Sequence, residues 1–392
     1  MLRRSVSLSL VTALTLSLSA AACSSDDATI GTPDGTTADS TVTDGSVPAN
    51  AEVENGAAFP AARCEANKAA GTITYLSSFD FAASASIVDV LVAKSKGYYD
   101  DLCLDVEVKA SFSTENYPLI AANDAQFSSG GSFSEMVDFA GTNDAGFVAL
   151  AVEGRTGIDA LIVKDGSGVS TLADVKGTKI GVKGAITPSV KAMLAQEGLI
   201  EGTDYETVLL DGYDPKVHVE VPGIIGFPGY KSNEPEQLTA AGIPFTLFDP
   251  ADYDIPGSFG VLYTNTTFVQ EHRTAAEDFM RATMRGLADA VADPDAAAQI
   301  AVDAINANGN AMYLSPESET ARWGVEAALV SEGVTPSAPL GMPQVDLLLA
   351  EVKAYTAIGL FNGIEPIIDT LVDTSVLETV YADDGTVIWP AN

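Results

Sequence analysis

Alternating and helically spaced apolar positions divide the chain into short elements. In GTITYLSSF (71–79), Ile73 and Tyr75 alternate with threonines, the pattern of a strand of β-branched and aromatic residues. SIVDVLVAKSKGYYDD then sets Ile87, Val90, Leu91 and Lys94 at helical spacing, with Ser86 as a cap and Gly97 as a stop. LDVEVKA (104–110) alternates again and predicts a second strand. NYPLIAAND opens a short helix. AQFSSGGSFSEMVDFAG reads as strand, glycine turn and helix, with Ser132 and Glu135 at capping-box spacing. DALIVKDGSGVSTLADVKGTKIGVKG predicts strand, loop, short helix and strand. TPSVKAMLAQEGL predicts a helix capped by Thr187 with Pro188 at its first position. YETVLLD, AAGIPFTLFD and SFGVLYT each predict a strand, and from there to about Val380 the pattern is mostly helical. Strands alternating with helices predict an α/β fold with largely parallel sheets.

The first residues follow a different pattern. Arg3 and Arg4 precede an apolar stretch from Val6 to about Ala22, diluted by Ser and Thr. It is short for a membrane span, which needs roughly 20 predominantly apolar residues. A basic start, a short apolar core and small residues before a cut site predict a secretory signal over residues 1–22. Ala20, Ala21 and Ala22 before Cys23 resemble a bacterial lipobox, with Ala20 where leucine is usual. The reading is that Cys23 becomes a lipid-modified N-terminus; the alternative is an ordinary cut after an alanine with Cys23 incidental. Residues 23–63 are rich in Ser, Thr, Asp, Gly, Ala and Pro, a composition that buries too little surface to offset its ordering entropy, so a flexible tether is expected.

The body that follows is long enough for two lobes. Its charge narrows the partners. The formal charge of the chain is −34, and losing Arg3 and Arg4 with the signal leaves −36. Nucleic acid is excluded as a partner, because phosphate binding depends on Lys and Arg. Three cysteines are present. With Cys23 lipidated, Cys64 and Cys103 remain, and a pair in an exported chain is expected to oxidise to a disulfide. His218 and His272 stand apart and no CxxC occurs, so no metal or cofactor is expected. Hydrolase elbows, zinc signatures and dinucleotide fingerprints are missing too, and no catalytic residues are assigned.

Four segments carry a resemblance. AKSKGYYDDLCLDVEV (93–108), STLADVKGTKIGV (170–182), GFPGYKSNEPEQLTAAGIP (226–244) and FMRATMRGLADAVADPDAAAQIAVD (279–303) come in an order that resembles the extracytoplasmic substrate-binding proteins of ABC importers. More narrowly, the chain is similar to the family of thiamine-pyrimidine, nitrate, sulfonate and taurine binding proteins. The resemblance implies a type II periplasmic-binding-protein clamshell. Lobe 1 would be residues 64–162 plus 263–392 and lobe 2 residues 163–262, each a mostly parallel sheet flanked by helices. It also implies a monomer tethered outside the cytoplasmic membrane that hands a small solute to a permease and ATPase complex, without chemistry of its own.

In an open α/β sheet, ligands bind beyond the carboxyl ends of the strands. The strand-to-helix loops therefore supply the candidates. Phe79 and Phe81 flank Asp80 and could stack on a flat ring while the carboxylate accepts from an amino group; equally, one Phe is core and Asp80 a cap. Ser128, Ser129 and Gly130 lie where glycines permit close backbone approach and a helix N-terminus offers N–H donors. Thr187 and Ser189 open the main helix of the second lobe. Tyr213 follows a strand. Tyr230, Asn233 and Glu234 combine an aromatic, an amide and a carboxylate in one loop. Anionic solutes call for Arg, Lys and helix N-termini, whereas these loops hold aromatics and carboxylates, with Lys183 and Lys231 nearby. The expectation is a thiamine-pyrimidine precursor first, and riboflavin or another heterocycle second.

Overall fold

The computed structural model describes residues 52–212, 214–308 and 314–391. The leader, Cys23 and most of the expected tether lie outside them, as does Tyr213. The last part of the expected tether is not loose. Val53 is buried, the Gly56 amide donates to Trp389 O at 2.8 Å, and the Ala391 amide donates to Ala57 O at 2.7 Å. A helix runs Ala61–Ala69 directly after Pro60 (φ −63°). It is held because Arg63 turns inward, pairing with Asp278 (2.6 Å) and Glu277 (2.7 Å), while Asn67 donates to Asp278 at 2.7 Å and to Leu102 O at 2.8 Å. The Cys64–Cys103 disulfide is formed beside this network, with Cα atoms 5.2 Å apart.

Ten strands are present among the described residues. They are β1 (Thr72–Leu76), β2 (Asp105–Lys109), β3 (Phe127–Gly130), β4 (Phe147–Gly154), β5 (Asp159–Lys164), β6 (Lys179–Val182), β7 (Glu206–Leu209), β8 (Gly226–Tyr230), β9 (Phe245–Phe248) and β10 (Phe259–Asn265). They form two five-stranded sheets, ordered β2-β1-β3-β10-β4 and β7-β6-β8-β5-β9. The two orders are the same pattern, and so is the pairing. In each sheet the first three strands are parallel, and the fourth runs antiparallel to both its neighbours. Four of the five strands in each sheet therefore run one way, so the sheets are mostly parallel as expected and mixed only through one reversed strand each. The antiparallel strands, β10 and β5, are the ones that bring the chain into each sheet from the other lobe.

By sheet membership, the chain passes between lobes at residues 155–158 and 249–258. The expected boundaries at 162/163 and 262/263 would cut through β5 and β10, whose apolar runs are continuous across them. The first sheet is packed on both faces. β4 and β10 are buried along their whole length, and the helix Arg273–Ala292 brings Phe279 to within 3.9 Å of the Phe127 ring. The helices Pro294–Asn308, Pro316–Ser331 and Val345–Ala357 complete this lobe. The tail closes it: the Arg285 guanidinium sits 4.3 Å from the Tyr98 ring and 4.1 Å from the Trp389 ring.

Candidate ligand-binding cleft

A cleft of about 1360 Å³ opens between the sheets, at the carboxyl ends of β1, β3, β6 and β8. The first lobe gives it Phe79, Ser84, Phe112, Gly130, Glu135, Phe259, Arg322 and Glu326. The second gives it Asp159, Lys183, Thr187, Tyr230, Asn233 and Glu234.

The structure sorts the expected residues. Phe79 faces the cleft, edge-on to Phe112 with ring centres 5.8 Å apart. Phe81 instead points into the core of the first lobe, because the intervening Asp80 takes a left-handed conformation (φ 48°) and turns the chain. Asp80 is buried in that turn and accepts from the Phe81 amide at 2.8 Å. Ser128 and Ser129 are buried and serve the strand: Ser128 Oγ donates to Leu76 O and accepts from Asn116, and Ser129 Oγ accepts from the Ser78 amide at 2.6 Å. Gly130 reaches the cleft wall.

The helix Phe133–Asn143 does not offer free donors to the cleft, as had been expected of its N-terminus. Its Phe133, Ser134 and Glu135 amides donate to Ser258 Oγ, Glu351 Oε1 and Ser132 Oγ at 3.0, 3.1 and 3.2 Å. The spacing of Ser132 and Glu135 thus gives the cap that the sequence implied, and the Glu135 carboxylate is left facing the cleft.

In the second lobe, Thr187 stands before the helix Pro188–Gln196 without making a side-chain cap. Its buried Oγ1 has no hydrogen-bond partner among the described residues and lies in the cleft wall. Ser189 is buried and donates to Asp159 at 3.4 Å. Tyr230, Asn233 and Glu234 are brought together as expected, but two of them are already engaged. Glu234 takes Lys183 on one oxygen (2.6 Å) and the Tyr230 amide on the other (2.8 Å). Asn233 Oδ1 accepts from Gln237 and from Arg322, both at 2.8 Å.

Glu135, Asp159 and Glu326, which no sequence motif marks as ligand contacts, also line the cleft. Burial raises the carboxyl of each, that of Asp159 to about 7. Glu326 accepts from Ser84 Oγ and the Ala85 amide (both 2.7 Å) in its own lobe and from Ser232 Oγ (2.6 Å) in the other. Together with Arg322–Asn233, it bridges the lobes. Each cation in the wall has an acidic partner: Lys183 has Glu234, Lys216 has Asp214 at 3.9 Å, and Arg322 has Glu319 at 3.3 Å. Among the described residues, no group of three or more His, Cys, Asp or Glu side chains is placed to hold a metal ion. No described helix is long and apolar enough to cross a membrane.

Several known structures share this architecture. A protein from Bordetella bronchiseptica RB50 superposes with a TM-score of 0.58 at 17% identity, over 78% of this chain and 96% of its own. The ligand-binding component of an ABC-type import system from Staphylococcus aureus gives 0.58 at 13%, over 78% and 98%. The periplasmic aliphatic sulphonate binding protein SsuA of Escherichia coli gives 0.54 at 12%, over 73% and 86%. At these identities the likeness establishes the fold, a type II periplasmic-binding-protein clamshell. In sequence, the chain is 28% identical over 148 residues to the riboflavin-binding protein RibY of Chloroflexus aurantiacus. That match spans 37% of this chain and 42% of the relative, less than half of either. The model of the NMT1/THI5 like family matches residues 84–297, more than half of the chain, and the protein belongs to that family.

Proposed function

We propose that the protein is the extracytoplasmic solute-binding component of an ABC importer, and that it captures a flat nitrogen heterocycle between its lobes. Riboflavin is the solute this reading favours. The observation that carries it is the cleft itself: about 1360 Å³, with aromatic rings on both sides and carboxyls on both sides. Ligand sites for drug-sized molecules run to roughly 300–1,000 Å³. A three-ring flavin with a hydroxylated chain makes better use of such a space than a single pyrimidine does. The partial likeness to RibY supports the same choice. Nitrate and sulfonates are disfavoured, because each wall cation already has an acidic partner. A thiamine-pyrimidine precursor is the second reading, favoured by carboxyl groups that suit an exocyclic amino group. In either case the work is capture and release by lobe closure, not turnover. The protein then acts as a monomer held to the outer face of the membrane through lipid on Cys23.

Purified protein is titrated with riboflavin, the thiamine pyrimidine, nitrate and methanesulfonate, following the melting temperature and the fluorescence of riboflavin itself. Saturable one-to-one quenching and a stabilisation of about 2.7 kcal/mol at 100-fold excess over Kd are expected for the preferred heterocycle. Stabilisation by nitrate or methanesulfonate, with none from either heterocycle, overturns the reading.

A further inference from the structure

Glu135 and Asp159 come from different lobes and different sequence neighbourhoods, yet both face the cleft. They meet at Tyr230. A side-chain carbon built on Gly131 would stand 2.7 Å from Glu135 Oε2 and 3.2 Å from the Tyr230 hydroxyl, so the two oxygens converge on one point of the first lobe. Tyr230 is in turn the cross-strand partner of Asp159 in the β5–β8 pair. The three groups form a continuous acidic seam from one lobe to the other.

We propose that Glu135 and Asp159 are a specificity pair: Asp159 is the acceptor that receives the N–H edge of the bound heterocycle, and Glu135 beside it adds the negative charge that turns anionic solutes away. This rests on the functional reading above and deepens it. Its ground is an unmet need for donors at Asp159. Asp159 receives Ser189 Oγ at 3.4 Å, near the limit of a hydrogen bond, whereas Glu135 receives Ser113 Oγ at 3.3 Å and also has the Gly131 and Ser132 amides and the Tyr117 hydroxyl against it. The nearby cations are committed elsewhere, Lys183 to Glu234 and Lys231 to Asp249 at 2.8 Å. Asp159 is half-buried in the cleft wall, and a carboxylate so placed with one long hydrogen bond is costly; a ligand carrying N–H groups relieves that cost where an anion would add to it.

The groups facing Asp159 are Glu135, Glu234, Tyr230, Lys231 and Tyr355, besides Ser189; those facing Glu135 are Ser113, Tyr117, Tyr230, Tyr263 and Asp159. With the Asp159 carboxyl raised to about 7 by burial, donors bind best to its ionised form. Affinity is therefore full at pH 8 and is lost as pH falls through 7, by roughly tenfold at pH 6.

The test titrates riboflavin and the thiamine pyrimidine into the full chain at pH 8 and pH 6, using wild type, Asp159→Asn and Glu135→Gln. Wild-type affinity is expected to fall about tenfold from pH 8 to pH 6. Asp159→Asn is expected to weaken binding at least tenfold at pH 8 and to flatten the pH dependence, while Asp159→Glu retains a slope. The wild-type profile needs no variant and stands even where a variant folds poorly. Binding of a heterocycle that is independent of pH and unchanged within twofold in both variants overturns the pair while leaving the functional reading intact. Stabilisation by nitrate or methanesulfonate alone, or no saturable response to any of the four solutes, overturns both.

Discussion

The two lobes share one strand order and one pairing pattern but are built to different weights. In the first, β4 and β10 are buried end to end under long helices, and the lobe is closed by the Cys64–Cys103 bond, the Arg63 network and the Trp389 tail. In the second, the edge strands β7 and β9 stay partly exposed, Leu209 and Val217 face solvent, and the helices are short. Hydrophobic burial sets how firmly each lobe holds its shape. The first lobe is the frame and the second the lighter jaw, so motion that opens the cleft falls on the jaw and its two connecting segments. Amide exchange should follow the same division, slowest in β1, β3 and β10 and faster in β7 and β9.

The largest expected effect removes an advantage that belongs to the frame alone. Replacing Cys64 and Cys103 together by serine frees a loop of 39 residues, which by chain entropy costs about 4 kcal/mol. The loss should appear in the unfolding of the first lobe, with solute affinity in the surviving folded protein unchanged. Equal destabilisation of both lobes, read by amide exchange, would contradict the division into frame and jaw.

The next effect falls on the jaw. Gly226 opens β8 between β5 and β6, and a side-chain carbon there would lie 1.9 Å from Ile162 O and 2.8 Å from Val163 Cα. Backbone cannot yield as a side chain can, so Gly226→Ala must spread the centre of the second sheet, at a cost of about 3 kcal/mol. Chemical denaturation should show an early transition confined to the second lobe. A single transition at the wild-type midpoint would mean that the sheet has slack that this geometry lacks.

Local elements and the site were not equally legible in the sequence. Local signals sufficed where one segment decides its own structure: β1, β2, β7 and β9 fall inside the predicted strands, Gly97 stops its helix with φ 76°, and Ser132 caps as its spacing implied. Ser86 fails as a cap because it takes φ 62° with a buried hydroxyl. The site was harder to read. Tyr230, Asn233 and Glu234 looked like ligand contacts by residue type, yet Glu234 spends both oxygens on Lys183 and Tyr230. Glu326 could not be found, because the partners that give it a role, Ser84 and Ser232, lie 242 and 94 residues away. A carboxylate earns its place here through tertiary burial, which periodicity and motif spacing do not encode.

The smallest effect concerns the contact between frame and jaw. Ser232 Oγ donates to Glu326 across the seam at 2.6 Å, and Glu326 keeps Ser84 and Ala85 as donors within the frame. Ser232→Ala therefore removes a bond that exists only while the lobes are together and leaves the carboxylate satisfied by the other two. A hydrogen bond to a charged group contributes about 1.5 kcal/mol, so the balance between closed and open forms should move about tenfold toward open. The melting temperature should stay near wild type, because the bond holds neither lobe's core. The radius of gyration of the unliganded protein in solution scattering should rise, and the solute should bind more weakly in proportion to the lost closed fraction, by at most that factor, since closure must now be driven without that bond. An unchanged radius together with unchanged affinity would show that the jaw is held by something other than Glu326, leaving Arg322 on Asn233 as the next bond to remove.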